Sequence, residues 1–122
     1  MRRVAMRIPN LFKGARYVGK AEGDRRTYHV FESDAGYLVM APNSAGGFNL
    51  NVVDREVPDV VTTGFKGKKL TAGRLKRSSR RPGLFRGPFS SLTALYVMVA
   101  LGRARKLKRR EGKAMVFKIS RS

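Results

Sequence analysis

A run of cations near the C-terminus is the part of this sequence best suited to chemistry. The stretch Arg103-Ala-Arg-Lys-Leu-Lys-Arg-Arg holds six Lys/Arg in eight residues, and Lys113 follows it closely. Lys and Arg bind phosphate oxygens and release the counterions condensed on a nucleic acid. The alternative, a solvated basic strand without a partner, would normally mix both signs of charge. We therefore expect phosphate contacts from Arg103, Arg105, Lys106, Lys108, Arg109, Arg110 and Lys113.

A second basic cluster covers residues 66–86. The alternative for this cluster is a flexible loop that only keeps the protein in solution. Phe85 is the one aromatic residue of the loop that is placed to stack on a base, and plain packing is its alternative. Single-strand binders need several aromatic platforms along a basic groove, so one ring favours duplex binding. Contacts to phosphate are expected from Lys68, Lys69, Arg74, Arg77, Arg80, Arg81 and Arg86.

Catalysis has few candidate residues in this chain. His29 is the only histidine and there is no cysteine, which excludes a conventional zinc set or a nucleophile–His–Asp triad. Asp54, Glu56 and Asp59 lie close together, but acidic residues are typical of the first turn of a helix. Pro58-Asp59 with the distant Glu111-Gly112-Lys113 is only superficially similar to a nuclease signature. We predict no catalytic residue, no metal site and no cofactor.

The charge is strongly polarised along the chain. Residues 62–122 carry 18 Lys/Arg and one acid, whereas residues 1–61 carry nine Lys/Arg and seven acids, so the halves hold about +17 and +2 of the total +19. A field of this size repels itself and is typical of a protein that neutralises a polyanion. Nucleic acid is the first candidate for that partner, and an anionic membrane is the second.

Length and composition predict one compact domain, or two small lobes that share a core, because the 122 residues are 42% hydrophobic. The absence of Cys removes any argument for an oxidising compartment. No apolar segment follows the basic start, and the longest apolar stretch, residues 92–101, is about half of the ~20 residues that span a bilayer. We expect a cytoplasmic or nucleoid-associated protein that does not insert into a membrane.

Short β-rich runs separated by turn residues occupy the first half. The runs cover residues 15–21, 26–32, 37–41 and 48–54, and Gly, Asp, Asn, Pro and Ser lie between them. In the last run Phe48, Leu50 and Val52 alternate with Asn49 and Asn51, which predicts a sheet with one buried face. We predict an antiparallel meander of three or four strands over residues 1–54.

The second half shows helix signals and then a strand period. A helix is predicted from residue 55 to about 64 with Asp54 as its N-cap, and a short basic helix from the N-cap Thr71 to about residue 79. After a loop, Ser90 or Ser91 caps a longer apolar helix that ends at Gly102. Residues 103–109 and 114–119 then form a basic hairpin with a turn at residues 110–113.

This order of helix, basic helix, longer helix, glycine and basic hairpin resembles the winged helix-turn-helix. The match lies mainly in residues 90–120, SSLTALYVMVALGRARKLKRREGKAMVFKIS, with LTAGRL at residues 70–75 as the preceding helix. The resemblance covers about half of the chain. It implies binding of duplex DNA, with the longer helix in the major groove and the hairpin on the backbone or in the minor groove. The candidate contacts from that helix, to bases or to a phosphate at its N-terminus, are the polar groups Ser90, Ser91 and Thr93.

The longer helix is apolar nearly all round. Leu92, Leu95, Tyr96 and Val99 recur at helical spacing, while Val97 lies off this stripe. We expect the extra apolar face to pack on the meander, and contact with a second copy in a homodimer is the alternative. Because residues 90–101 contain no Arg, Asn or Gln, the helix offers no bidentate base contact, and we expect limited sequence specificity.

The sequence therefore predicts an α+β protein, with a β-meander lobe at residues 1–54 packed on a winged-helix-like basic unit at residues 55–122. We expect this protein to bind nucleic acid, most of all duplex DNA, through its phosphates and in a regulatory or architectural role. Two alternatives stay open. One is an RNA-binding protein of the ribosomal or RNA-processing type. The other is a protein-interaction module that its basic half holds near nucleic acid.

Overall fold

The computed structural model describes residues 13–85 and 88–121, apart from the side chains of residues 88 and 89. The first half is a four-stranded antiparallel sheet with the order β1-β2-β3-β4. Its strands are β1 (Arg16–Glu22), β2 (Thr27–Ser33), β3 (Gly36–Pro42) and β4 (Phe48–Val53). Each strand begins and ends within one residue of its predicted bounds, so the predicted meander is confirmed.

Within the described residues, the second half contains three α-helices, a 3₁₀ turn and a second antiparallel sheet. The helices are α1 (Val57–Phe65), α2 (Ala72–Ser78) and α3 (Pro88–Ala100), and the 3₁₀ turn is Pro82–Leu84. The strands are β5 (Lys69–Leu70), β6 (Ala104–Glu111) and β7 (Ala114–Ile119), in the order β5-β7-β6. The protein is α+β, as predicted. Strand β5 was not predicted, because two residues are too few to show a strand period.

Local signals located two of the helix ends correctly. The Thr71 hydroxyl accepts a hydrogen bond from the Arg74 backbone N–H at 3.1 Å, which confirms Thr71 as the N-cap of α2. At the end of α3, Gly102 adopts φ +76° and the Arg103 N–H donates to the Met98 carbonyl at 2.9 Å. This positive φ and the hydrogen bond between residues five positions apart are those of a Schellman motif, in which glycine is favoured.

The other two predicted caps are wrong in position. Helix α1 begins at Val57, and the Asp54 carboxylate accepts a hydrogen bond from the Glu56 N–H at 2.9 Å, so Asp54 closes the turn before the helix. Helix α3 begins at residue 88, which places Ser90 and Ser91 inside its first turn. Proline suits that position because it has no N–H to satisfy there.

Both faces of the meander carry apolar side chains. Val30 and Val39 lie on the inward face and are buried. In β4 the predicted buried face is wrong, because Phe48 and Val52 are each 49% exposed whereas Val53 is buried. Val53 is part of the hydrophobic core. Because side chains alternate along a strand, Phe48 and Val52 lie on the opposite, outward face.

Helix α3 lies at the centre of the protein and packs against both sheets. Leu95, Val97 and Met98 have no exposed surface, so the helix is buried nearly all round. Its extra apolar face meets the meander, as predicted. The two lobes therefore share one hydrophobic core.

Aromatic rings connect the two sheets through α3. The Tyr96 ring stacks on Tyr28 of β2 with 4.3 Å between the centroids and meets Phe117 of β7 edge-on at 6.1 Å. Burial raises the pKa of the Tyr96 hydroxyl above its usual value. Strand β1 also approaches α3 closely, because a Cβ atom at Gly19 would lie 2.7 Å from the Ala100 carbonyl oxygen.

Candidate nucleic-acid interface

The hairpin of β6 and β7 forms the first part of the candidate interface. Glu111 pairs with Ala114, and Gly112 between them adopts φ +63°, as the first position of a two-residue II′ turn requires. The pairing is irregular between Lys106 and Arg110, and residues 107–109 bulge out of the ladder there. The exposed cations of the hairpin are Arg105, Lys108, Arg109, Arg110 and Lys113.

Three cations lie side by side across the second sheet. Lys69 of β5 pairs with Lys118 of β7, and Lys118 pairs with Arg105 of β6. Leu70 and Phe117, the next residues along their strands, are buried in the core. Because side chains alternate along a strand, Lys69 and Lys118 point away from the core. We call Lys69, Lys118 and Arg105 the cation row.

The cation row has no acidic partner among the residues that the structure describes. Side chains directly opposite each other on antiparallel strands have Cβ atoms about 4.5–5.5 Å apart, and like charges in this arrangement destabilise the sheet. An anion bound across the row would offset this repulsion.

Sequence analysis missed two cations here, one in the row and one beside it. The Lys118 ammonium donates to the Gly67 carbonyl at 2.8 Å. The Arg121 side chain lies against Gly67, since a Cβ atom there would be 3.4 Å from Arg121 Cγ. The alternation of β7 could have shown that Lys118 points outward. Nothing in the sequence indicated its neighbour in β5.

Four of the predicted phosphate contacts are arginines held in ion pairs. Each of these arginines pairs with one carboxylate, and all of the pairs are partly exposed. Exposed pairs of this kind contribute only about 0–1 kcal/mol, so a phosphate competes with them at little cost. The pairs are Arg74 with Glu111 at 3.2 Å, Arg81 with Glu56 at 2.7 Å, Arg103 with Asp59 at 2.9 Å, and Arg110 with Asp24.

The other predicted cations that the structure describes carry no ion pair within those parts of the chain. Lys106 differs from the rest because it lies opposite Phe117 and is half-buried on the inward side of the hairpin. Lys106 also acts on Glu22 of β1. The pKa of Glu22 is lowered first by the hydrogen bond from Thr27, and the charges of Lys20 and Lys106 lower it further. The cations without ion pairs are Lys68, Lys69, Arg77, Arg80, Arg105, Lys106, Lys108, Arg109 and Lys113.

Two adjoining clefts lie between α1, β5 and α2. Their volumes are about 640 Å³ and about 510 Å³. Phe65, Lys68 and Ser78 line both clefts, so the two form one groove, which we call the α1–α2 groove. It brings together four of the predicted cations with one that was not predicted. These are Lys68, Lys69, Arg74, Arg80 and Lys118.

The predicted contacts at the start of α3 need correction. Ser91 has no exposed surface and Thr93 is 2% exposed, because α3 is enclosed by both sheets. Neither side chain can reach a nucleic acid, and only Ser90 is exposed. Phe85 is also buried, which corresponds to plain packing and not to base stacking. Arg86 lies outside the described residues.

Within the described residues, no three His, Asp or Glu side chains converge as metal ligands. The Tyr17 hydroxyl lies 3.0 Å from Nδ1 of His29, on the meander. Glu56 and Asp59 of the acidic cluster pair with Arg81 and Arg103. The arrangement of charged groups is thus suited to holding anions on the second sheet and in the α1–α2 groove.

No helix in the described parts of the chain is long and apolar enough to cross a membrane. Comparison of the chain with protein-family models, with curated protein sequences and with solved structures finds no match.

Proposed function

We propose that this protein binds nucleic acid, duplex DNA foremost, through phosphate contacts on the second sheet. The observation that carries this proposal is the cation row. Its three cations lie opposite one another on adjacent strands, and none has an acidic partner within the described residues. Phosphates bound there would remove the repulsion and release condensed counterions.

The length of the row suits contact with a phosphate backbone. Neighbouring strands of a sheet lie about 4.8 Å apart, so a row across three strands spans about 10 Å. A nucleic-acid strand presents one phosphate per about 3.4 Å of duplex axis. With one phosphate for each cation, the row makes up to three phosphate contacts, and the exposed Lys108, Arg109 and Lys113 extend the positive surface along the hairpin.

The order of elements supports a winged-helix-like organisation of the C-terminal half. The chain runs through α1, the basic α2, the longer α3, Gly102 and the basic hairpin, which is the order on which the resemblance rests. The burial of α3 favours binding through the hairpin and the sheet instead of a helix in the major groove. Such binding carries little sequence information, since phosphate contacts position a protein without specifying the bases. A regulatory or architectural role in the cytoplasm or nucleoid suits it.

Competition binding tests this proposal. A labelled duplex DNA is bound at fixed salt and displaced by unlabelled blunt duplex DNA, duplex RNA or single strands of equal length. We expect duplex DNA to compete best. Better competition by duplex RNA would replace DNA with RNA as the partner. Failure of every polyanion to bind would overturn the proposal.

A second candidate function, protein interaction, is favoured by the outward face of the meander. Tyr17, Phe31, Leu38 and Val52 lie side by side across β1 to β4. Tyr17 and Val52, at the two ends of this row, are 51% and 49% exposed, whereas Phe31 is half-buried and Leu38 is buried. Large apolar side chains exposed in this way are typical of protein contacts. Sedimentation tests for a homodimer: the mass should rise with concentration for the native chain and stay that of a monomer for Val52→Lys.

A further inference from the structure

We propose that the α1–α2 groove holds a single-stranded overhang of the nucleic acid whose duplex lies on the cation row. This inference rests on the proposed function, because it names the form of nucleic acid that the same basic surface would prefer. Its ligand would be a junction between duplex and single strand.

The groove and the cation row are continuous. Lys69 and Lys118 belong to the row and also line the groove. A strand that leaves the row at β5 therefore passes directly into the groove. Lys68 continues the path, because it lines both clefts.

The size of the groove favours one strand over two. Its two clefts, at about 640 Å³ and about 510 Å³, have the volumes of sites that enclose small ligands. The groove lies between two helices of nine and seven residues, which are about 14 and 11 Å long, and this length suits a few nucleotides of one strand. An extended strand with its bases unpaired fits this space.

The lining combines one aromatic ring with cations and hydroxyls, which is enough for a short overhang and not for a long single strand. Phe65 is half-buried, packs on the core and also lines the groove, so its ring can stack on a base. Lys68 and Arg80 supply positive charge, and Thr63 and Ser78 supply hydroxyls for hydrogen bonds. The one carboxylate of the lining, Asp59, is paired with Arg103, which offsets its charge.

Gly64 allows the groove to be filled without disturbing the fold. It lies in α1 and lines the groove, and no atom beyond its chain neighbours and the backbone of its own helix lies within 4 Å of the position that its Cβ would take. A side chain added there has room to lie over the groove. Gly64→Leu should therefore block the strand, whereas Gly64→Ala is a matched control that leaves most of the space open. Both residues favour a helix more than glycine does, so both variants should fold.

The experiment measures the affinity of each protein for a blunt duplex DNA and for the same duplex with a short 5′ or 3′ overhang. The native protein and Gly64→Ala should bind one overhang duplex about tenfold more tightly than the blunt duplex, a gain typical of one stacked base with added phosphate contacts. Gly64→Leu should lose this preference and keep its affinity for the blunt duplex.

A second variant tests the charged lining. Lys68→Gln combined with Arg80→Gln should reduce the overhang preference. Neither substitution changes a residue of α1. Binding of the blunt duplex without any overhang preference would overturn this inference and leave the proposed function standing. An overhang preference that survives in Gly64→Leu would also overturn it. Failure to bind any of these DNAs would overturn both.

Discussion

The cation row gives the sharpest test of the proposed function, because its replacement should weaken binding without weakening the fold. The change is Lys69→Gln, Arg105→Gln and Lys118→Gln together. Glutamine keeps a polar side chain of moderate length on each strand and removes only the charges that face one another across β5, β7 and β6.

The structure sets the expected magnitudes. Each phosphate contact contributes about 0.9 to the slope of log affinity against log salt on B-DNA, so loss of three contacts should make the slope shallower by about 2.7. With six to eight contacts in the native complex, its slope should be about −5 to −7. For the fold, relief of two like-charge pairs gains about 0.4–2 kcal/mol. Loss of the hydrogen bond from Lys118 to Gly67 costs about 0.5–1.5 kcal/mol. The free energy of unfolding should therefore change by less than about 1.5 kcal/mol in either direction.

Fluorescence anisotropy with a labelled duplex over a range of salt gives the slope, and urea denaturation gives the free energy of unfolding. The matched control is Lys13→Gln, Lys20→Gln and Arg25→Gln, three exposed cations of the first half whose loss lowers the net charge equally. The control should keep nearly the native slope. An equal loss of slope in both triple variants would refute the cation row as a binding site and leave only a general effect of net charge.

Three further predictions concern the core, the tyrosines and specificity. Leu95→Ala should lower the free energy of unfolding by about 2–5 kcal/mol in urea denaturation, because Leu95 is fully buried in α3; a loss under about 1 kcal/mol would contradict its central place. Burial raises the pKa of Tyr96 in the folded state above its usual value of 10. The contribution of the neutral hydroxyl to the free energy of unfolding should therefore be fully present below pH 10 and decline as the pH rises above it. Unfolding at stepped pH should show a flatter decline for Tyr96→Phe, and an unchanged decline would assign the effect to other groups. Selection from random duplexes at physiological salt should give at most about 100-fold preference over random sequence, below the ~10³-fold of specific binders, and a sharp consensus would contradict binding through phosphates alone.

Elements defined by short-range signals were predictable from the sequence. The meander follows from turn residues between β-rich runs, and α2 begins where Thr71 can bond the backbone N–H three residues later. Gly102 ends α3 because the left-handed conformation there suits glycine. These features depend on interactions within a few residues, which the local sequence contains.

Features that depend on distant pairing were not predictable. Strand β5 exists because Lys69 and Leu70 pair with β7, almost fifty residues later, and two residues carry no period of their own. The ion pair of Arg110 with Asp24 joins residues that are 86 positions apart, so the charge count of the basic half could not show it. Likewise, the burial of Ser91 and Thr93 follows from the packing of the meander on α3.

The enclosure of α3 decides which part of the protein can meet a nucleic acid. A helix reads base edges only when one of its faces stays outside the core, and Leu95, Val97 and Met98 show that α3 keeps no such face. The second sheet takes the opposite arrangement, with one face in the core and cations on the other. In the proposed function, the cation row contacts phosphates, which are present whatever the order of the bases. If the proposed function holds, the packing that encloses the helix leaves contact with the backbone to this sheet, and such contact carries little sequence information.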